Sequence, residues 1–288
     1  MEQKVILVNL PPSTNYNYRS AGSIYPATGI LVIGTILKSQ GLAVQVIDGT
    51  VKSDYIERTL DSIEDDTVMI GFSVMTSQVP LAFDLSKLIK TKYPDIKIVW
   101  GGIHPILFPE QTLRNPNIDM VVTGEGYHAT LSLIDYLNGK IGLRQIKGVG
   151  FKDDSGNIIL NEPCAPDDIG TLPHIDYSIL EDIELYLKSK SVYQREFAGN
   201  NDSLEVMPVL TGLGCCYKCQ FCINVILKRS YRYRPAASII EEIKKLKENY
   251  GANTFIFYDE DFFINKRRLL EFLDMVERED LKFYWRAW

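Results

Sequence analysis

Few of the residue types that mark special chemistry are plentiful in this 288-residue chain, which has five cysteines and three histidines. Neither the scattered histidines nor the isolated Cys164 supplies the second ligand pair that a zinc ribbon needs. Positive charge is not in excess: 31 Lys and Arg stand against 37 Asp and Glu, a formal net charge of −6. That balance argues against a nucleic acid held through its phosphates. The basic clusters Lys244-Lys245-Lys247 and Lys266-Arg267-Arg268 lie beside acids at helical positions and read as solvated helix faces. Long apolar runs are missing as well. The longest, Gly29 to Leu37, is broken by Gly34 and Thr35 and falls far below a spanning length, so no membrane span is expected. Met1-Glu2-Gln3-Lys4 passes straight into Val5-Ile6-Leu7-Val8, too short and too abruptly bounded for a signal peptide. A cytoplasmic protein with reduced thiols is the expectation. No P-loop lysine and no G-x-G-x-x-G follows any apolar run, which removes the common phosphate fingerprints.

Four of the five cysteines fall within Gly212-Leu213-Gly214-Cys215-Cys216-Tyr217-Lys218-Cys219-Gln220-Phe221-Cys222. Cys215-x3-Cys219-x2-Cys222 sets three thiolates close together in one loop, enough to hold three irons of a cubane cluster. Such clusters usually take four cysteines, so one iron would be left for another ligand. Reading the run from Cys216 gives the start of a ferredoxin pattern, which then needs a cysteine followed by proline where Ile226 and Leu227 stand. Disulfides fit poorly, because the clustering strains most pairings and nothing marks the chain as secreted.

The first half alternates short apolar runs with helical patterns. Val5–Leu10, Val44–Ile47, Val68–Phe72, Ile96–Trp100 and Met120–Thr123 are near-continuously hydrophobic, as strands of a parallel sheet covered on both faces are. Leu81, Leu85, Leu88 and Ile89 mark one helix face between them, and Ile30, Ile33, Gly34 and Leu37 another. The fold class is α/β: residues 1–142 are expected to form a doubly wound, flavodoxin-like or Rossmann-like parallel sheet. Ligands of such sheets bind at the carboxyl edge. The loops there begin at Asn9, at Asp48-Gly49-Thr50, at Ser73 to Gln78, at Gly101-Gly102 and at Gly124-Glu125-Gly126.

Residues 143–203 read as a connector. It holds a β-hairpin, Val149–Lys152 and Ile158–Leu160, then a linker punctuated by Pro163, Pro166 and Pro173, with a polar break at Asn200-Asn201-Asp202-Ser203. From 204 to 288 three further strands are expected: Val206–Leu210, which delivers the cysteine loop, Asn253–Tyr258, which ends in Asp259-Glu260-Asp261, and Lys282–Trp288. This is the opening of a βα barrel with its site at the carboxyl strand ends. Three strands do not close a barrel, and the last would leave Phe283, Tyr284, Trp285 and Trp288 at an open edge. The core is therefore expected to be truncated at Trp288.

Cys215-x3-Cys219-x2-Cys222, with Phe221 before its last cysteine, resembles the signature of the radical SAM enzymes. The resemblance implies a [4Fe-4S] cluster on Cys215, Cys219 and Cys222, with S-adenosylmethionine on the open iron. It also implies SAM contacts from Tyr217 and Phe221, and from Asp259, Glu260 and Asp261 near the SAM amino group. For any one of these carboxylates, capping the next helix is an equally good reading. Pro26-Ala27-Thr28-Gly29, Gly71-Phe72-Ser73-Val74-Met75-Thr76, Trp100-Gly101-Gly102-Ile103-His104-Pro105 and Gly124-Glu125-Gly126 resemble the cobalamin-binding domain that precedes the core in one large subfamily. That resemblance implies cobalamin contacts from Asn9, Ser73, Thr76, Gly101, Gly102, Gly124, Glu125 and Gly126. Asp-x-His-x-x-Gly is missing, so cobalt is expected without a histidine ligand, and His104 and His128 as structural residues. The implied activity is reductive cleavage of S-adenosylmethionine to a 5′-deoxyadenosyl radical, then methyl transfer to an unactivated carbon of a small-molecule substrate. Radical rearrangement or ring formation is the nearest alternative, and a non-catalytic cobalamin or iron–sulfur module the next. A reductase, ferredoxin or flavodoxin would donate the electron.

Overall fold

In the computed structural model the apolar runs of the first half become five parallel strands: β1 (Lys4–Asn9), β2 (Ala43–Asp48), β3 (Thr67–Ser73), β4 (Lys97–Gly101) and β5 (Met120–Val122). The structure describes residues 3–12, 25–166, 168–187, 204–227 and 229–288. The end of the connector, with its polar break at Asn200–Ser203, lies outside them. The chain divides into two units: Met1–Tyr16, Gly29–Asp167 and Ile175–Glu181 make the first, and Asn17–Thr28, Asp168–His174 and Asp182–Trp288 the second.

In the first unit the sheet order is β2-β1-β3-β4-β5, continued by β6 (Val149–Lys152) and β7 (Ile158–Leu160). The parallel part is the flavodoxin-like order 2-1-3-4-5. The hairpin that the sequence places in a connector is hydrogen-bonded antiparallel onto β5 and continues that sheet. Between the strands run α1 (Thr28–Ser39), α2 (Tyr55–Asp61), α3 (Val79–Lys92), the short α4 (Ile103–Leu107) and α5 (Pro109–Leu113), and α6 (Tyr127–Leu137).

Helix α3 shows how one face is buried. Ala82, Leu85, Ser86 and Ile89 point into the core with Ile6, Val8, Ile70, Phe72, Ile98 and Trp100. The fully buried Trp100 stacks on Phe83 at 5.0 Å and donates its indole N–H to the Ser86 hydroxyl at 3.1 Å. That bond removes the one polar penalty of burying the ring. Leu88, read with the apolar stripe, is instead exposed, because a helix turns 100° per residue and Ser86 occupies the inward position. Helix α1 is buried on nearly every side. Part of its cover comes from 175–181, a stretch the sequence reads as irregular linker: Leu180 bridges Val46, and Asp176 accepts from Lys38 while its N–H donates to Thr35 Oγ1.

In the second unit the parallel strands β8 (Val206–Val209), β11 (Thr254–Phe257) and β12 (Tyr284–Arg286) form a sheet of order β12-β11-β8. A separate two-stranded ladder pairs β9 (Gly212–Leu213) with β10 (Arg232–Tyr233). Helix α7 (Glu184–Leu187) precedes β8, the short α8 (Ile223–Leu227) follows the cysteines, and α9 (Ala236–Tyr250) and α10 (Lys266–Arg278) follow β10 and β11. Helix α9 ends at Gly251 in the left-handed conformation. Phe255, Phe257, Phe262, Phe272, Phe283 and Trp285 pack edge-to-face and tilted, so Phe283 and Trp285 are part of the core, while Tyr284 and Trp288 are exposed. Among the described residues no helix is long and apolar enough to cross a membrane.

Truncating Leu85 to Ala should destabilise the first unit by about 2–5 kcal/mol, since it opens a cavity in a packed core. Leu88→Ala, on the exposed side, should stay within about 0.5 kcal/mol. Denaturant unfolding of the two variants checks this assignment of the helix face.

Candidate functional site

Parallel strands end together, so the loops after them gather at one edge. In the first unit these loops are tied by a carboxylate, amide side chains and backbone groups. Asp48, buried, accepts from Asn9 Nδ2 at 2.9 Å and from the Thr50 N–H and hydroxyl at 2.8 and 2.7 Å, joining the ends of β1 and β2. Buried Gln78 donates to the Leu10 carbonyl and accepts from Met75 N at 2.7 Å, joining the loops after β1 and β3. The loops after β3 and β4 are joined by Val74 N to Gly101 O at 2.8 Å and His104 N to Val74 O at 2.9 Å. Gly102 has φ +92°, and a side chain on it would meet the Val74 backbone, so glycine is required there.

Of the residues expected at this edge, Asn9, Ser73, Gly101, Gly102, Gly124 and Glu125 are half-buried, Thr76 is exposed and Gly126 is buried. A side chain added at Gly124 would meet nothing within 4 Å, so there is open space beside that glycine. His104 is buried, with Nδ1 at 3.4 Å from Thr76 Oγ1 and its ring 5.3 Å from that of Phe108. Burial pushes its imidazole below the ordinary range. The ring is thus held within the first unit by Thr76 and Phe108. His128 is exposed at the start of α6.

The second unit presents the cysteine loop. It leaves β9 and returns as β10, so the Gly212–Tyr233 and Leu213–Arg232 pairs close its base. The sequence pattern offered no sign of this ladder. Gly214 has φ +80°, and a side chain there would run into the Ser230 carbonyl. Gly212 leaves room for the Asp259 carboxylate. Cys215 and Cys222 are half-buried, Cys216 and Cys219 exposed, and none is in a disulfide. Tyr217 and Phe221 are exposed, Phe221 to 94%. Among the described residues no three His, Cys, Asp or Glu side chains converge as a ready metal-holding group. Cys215, Cys219 and Cys222 therefore share a loop without being drawn together. Their fit to an iron–sulfur cluster lies in the donor chemistry: three free thiols at cluster spacing on one anchored loop.

Each carboxylate of the acidic triplet has a partner inside the unit. Asp259 is buried, accepts from the Thr211 N–H and hydroxyl at 3.0 and 2.7 Å, and pairs with Arg268 at 3.1 Å. Glu260 accepts from Gly214 N and Asn224 Nδ2. Asp261 caps the helical turn Phe262–Ile264 through the Phe263 N–H at 2.9 Å. Arg268, read from its basic neighbours as part of a solvated face, is 2% exposed. Its guanidinium donates to Thr211 O at 2.8 Å and Phe262 O at 3.0 Å and lies 4.7 Å from the Phe262 ring centroid. A second buried arginine, Arg234, donates to Leu210 O at 3.1 Å and pairs with buried Glu242.

Residues 17–134 match the B12 binding domain family model. An uncharacterized methyltransferase of Pyrococcus horikoshii is 27% identical over 295 residues, covering 100% of this chain and 60% of the relative. An anaerobic magnesium-protoporphyrin IX monomethyl ester cyclase of Synechocystis sp. is 25% identical over 281 residues, covering 96% of this chain and 53% of the relative. Among solved structures, the cobalamin-dependent S-adenosylmethionine radical enzyme OxsB, with aqua-cobalamin and S-adenosylmethionine bound, superposes with a TM-score of 0.77 at 22% identity, over 99% of this chain and 38% of that one. Residues 17–134 thus match a B12 binding domain, and over nearly its whole length the chain is similar to a methyltransferase and to a cyclase. The chain spans less than two thirds of the length of these two curated relatives. The B12 match covers most of the sheet whose carboxyl edge carries the tied loops.

Two outcomes follow from the charges and the histidine. Arg268→Ala leaves Asp259 buried without its cation and should cost about 3–5 kcal/mol in chemical denaturation of the second unit. Below about pH 6.5 the unfolded chain takes up a proton on His104 that the folded chain refuses. Stability contributed by neutral His104 is thus intact above that pH and is lost as pH falls toward its depressed folded value. His104→Gln should flatten this acid-side slope of unfolding free energy, measured against wild type.

Proposed function

We propose that this chain serves a cobalamin-dependent radical SAM enzyme that cleaves S-adenosylmethionine reductively and methylates an unactivated carbon of a small molecule. One observation carries the reading: a three-thiol loop is anchored at the carboxyl end of β8, downstream of a B12 binding domain. When bound, the [4Fe-4S] cluster, SAM and cobalamin would supply the electron transfer, the 5′-deoxyadenosyl radical and the methyl group. Cys215, Cys219 and Cys222 would hold the cluster, with Tyr217 and Phe221 beside SAM. Asn9, Ser73, Thr76, Gly101, Gly102, Gly124, Glu125 and Gly126 would contact cobalamin through backbone and neutral groups, with no histidine on cobalt. A ferredoxin, a flavodoxin or a reductase would supply the electron.

Glu260 and Asp261 each have a free-energy stake in the loop or the next helical turn, and Asp259 is taken up by Thr211 and Arg268. The SAM contact first expected of the triplet is therefore least supported for Asp259. Ring formation is the second reading, favoured by the likeness to a cyclase as well as to a methyltransferase.

The test uses the full chain, reconstituted anaerobically with iron, sulfide and cobalamin. With reductant it should turn SAM into 5′-deoxyadenosine. Cys215→Ala should abolish that product and the cluster absorbance while cobalamin stays bound. Cluster and cobalamin spectra without SAM cleavage would rule out catalysis by this polypeptide.

A further inference from the structure

The two oxygens of Glu260 engage the two ends of the cysteine loop. Oε2 accepts from Gly214 N at 3.0 Å, one residue before Cys215. Oε1 accepts from Asn224 Nδ2 at 3.2 Å, two residues after Cys222. The other amide atom of buried Asn224, Oδ1, has no hydrogen-bond partner among the described residues, so Glu260 is what orients this side chain. Glu260 is itself poorly able to shift, since the preceding Asp259 is locked by Thr211 and Arg268 and the following Asp261 caps a helical turn.

We propose that Glu260 is a positioning residue for the three-thiol site, setting the separation of the loop's ends before a cluster binds. The inference rests on reading Cys215, Cys219 and Cys222 as the cluster ligands. A carboxylate accepting from N–H groups makes hydrogen bonds about twice as strong as neutral ones, and closing the stretch in advance lowers the entropy lost when three thiols gather. The segment it brackets, 216–221, is exposed throughout. Without the bracket, ordering of the whole loop falls to the incoming cluster.

The full chain is prepared anaerobically as wild type, Glu260→Ala, Glu260→Gln and Asn224→Ala. Amide exchange is read on the metal-free proteins. Iron retention against a chelator is read after incubation with ferrous iron and sulfide. In Glu260→Ala, peptides covering Thr211–Val225 should exchange about tenfold faster, and iron should be held about tenfold less tightly. Glu260→Gln keeps one acceptor and should fall between, with Asn224→Ala beside it. Unchanged exchange in second-unit peptides outside the loop, those of α9 (Ala236–Tyr250), shows that the variants remain folded. Wild-type exchange and iron retention in both Glu260 variants would overturn the proposal, and weakened SAM binding alone would then assign this carboxylate to SAM. If wild type takes up no iron, the cluster reading fails and the exchange rates alone decide whether Glu260 brackets the loop.

Discussion

A buried charge that cannot be left unpaired organises the second unit. The Asp259 carboxylate sits at the end of β11, almost entirely out of water, with Arg268 of α10 against it. Taking either ion into the interior costs several kcal/mol, recovered only if its hydrogen-bonding capacity is met. Thr211 meets much of it. Its N–H and hydroxyl go to Asp259, and its carbonyl receives Arg268 Nη1 and Arg234 N. Thr211 is the residue from which the chain enters β9 and then the cysteines. The desolvation of one carboxylate thus fixes where the cysteine loop starts.

The first unit ties its loop edge differently. Gln78, Asn9, Thr50, the Asp48 carboxylate and backbone groups tie the loops, and burial lowers the pKa of His104. Amide and backbone ties of this kind hold the loops while leaving open space beside Gly124. Ionic ties suit the other unit, where a short loop must hold its ends while its middle stays exposed.

What was legible in the sequence follows from how each feature is encoded. Strands buried on both faces must be apolar without a break, so β1 to β5, β8 and β11 lie within a residue or two of where the runs predict them. The paired ladder of β9 and β10 was not legible. It joins two residues to two across the whole cysteine loop and carries no alternation. Arg268 was misread because Lys266 and Arg267 beside it are exposed; the signal that separates it is its place four residues before Phe272, on the buried face of α10. The stretch 175–181 looked like linker because of the nearby prolines, yet Tyr177 and Ile179 are buried beneath an Asp176 cap. For the candidate site, the cysteine spacing marked the candidate ligands, but not that Asp259, Glu260 and Asp261 already have partners.

That last point bears on why the loop is built from two kinds of segment. The residues flanking the thiols, Gly212 to Gly214 on one side and Asn224 and Arg232 to Tyr233 on the other, are held by ladder and carboxylate. Those between them make few bonds, the Cys222 N–H to the Cys219 carbonyl among them at 2.9 Å. A site assembled from a fully flexible loop would surrender much of its metal affinity to ordering the chain, and a fully rigid one would have to match cluster geometry in advance. Fixed ends and a compliant middle avoid both costs. The thiols sit on the compliant part, while the base of the loop is set by Asp259 and Glu260.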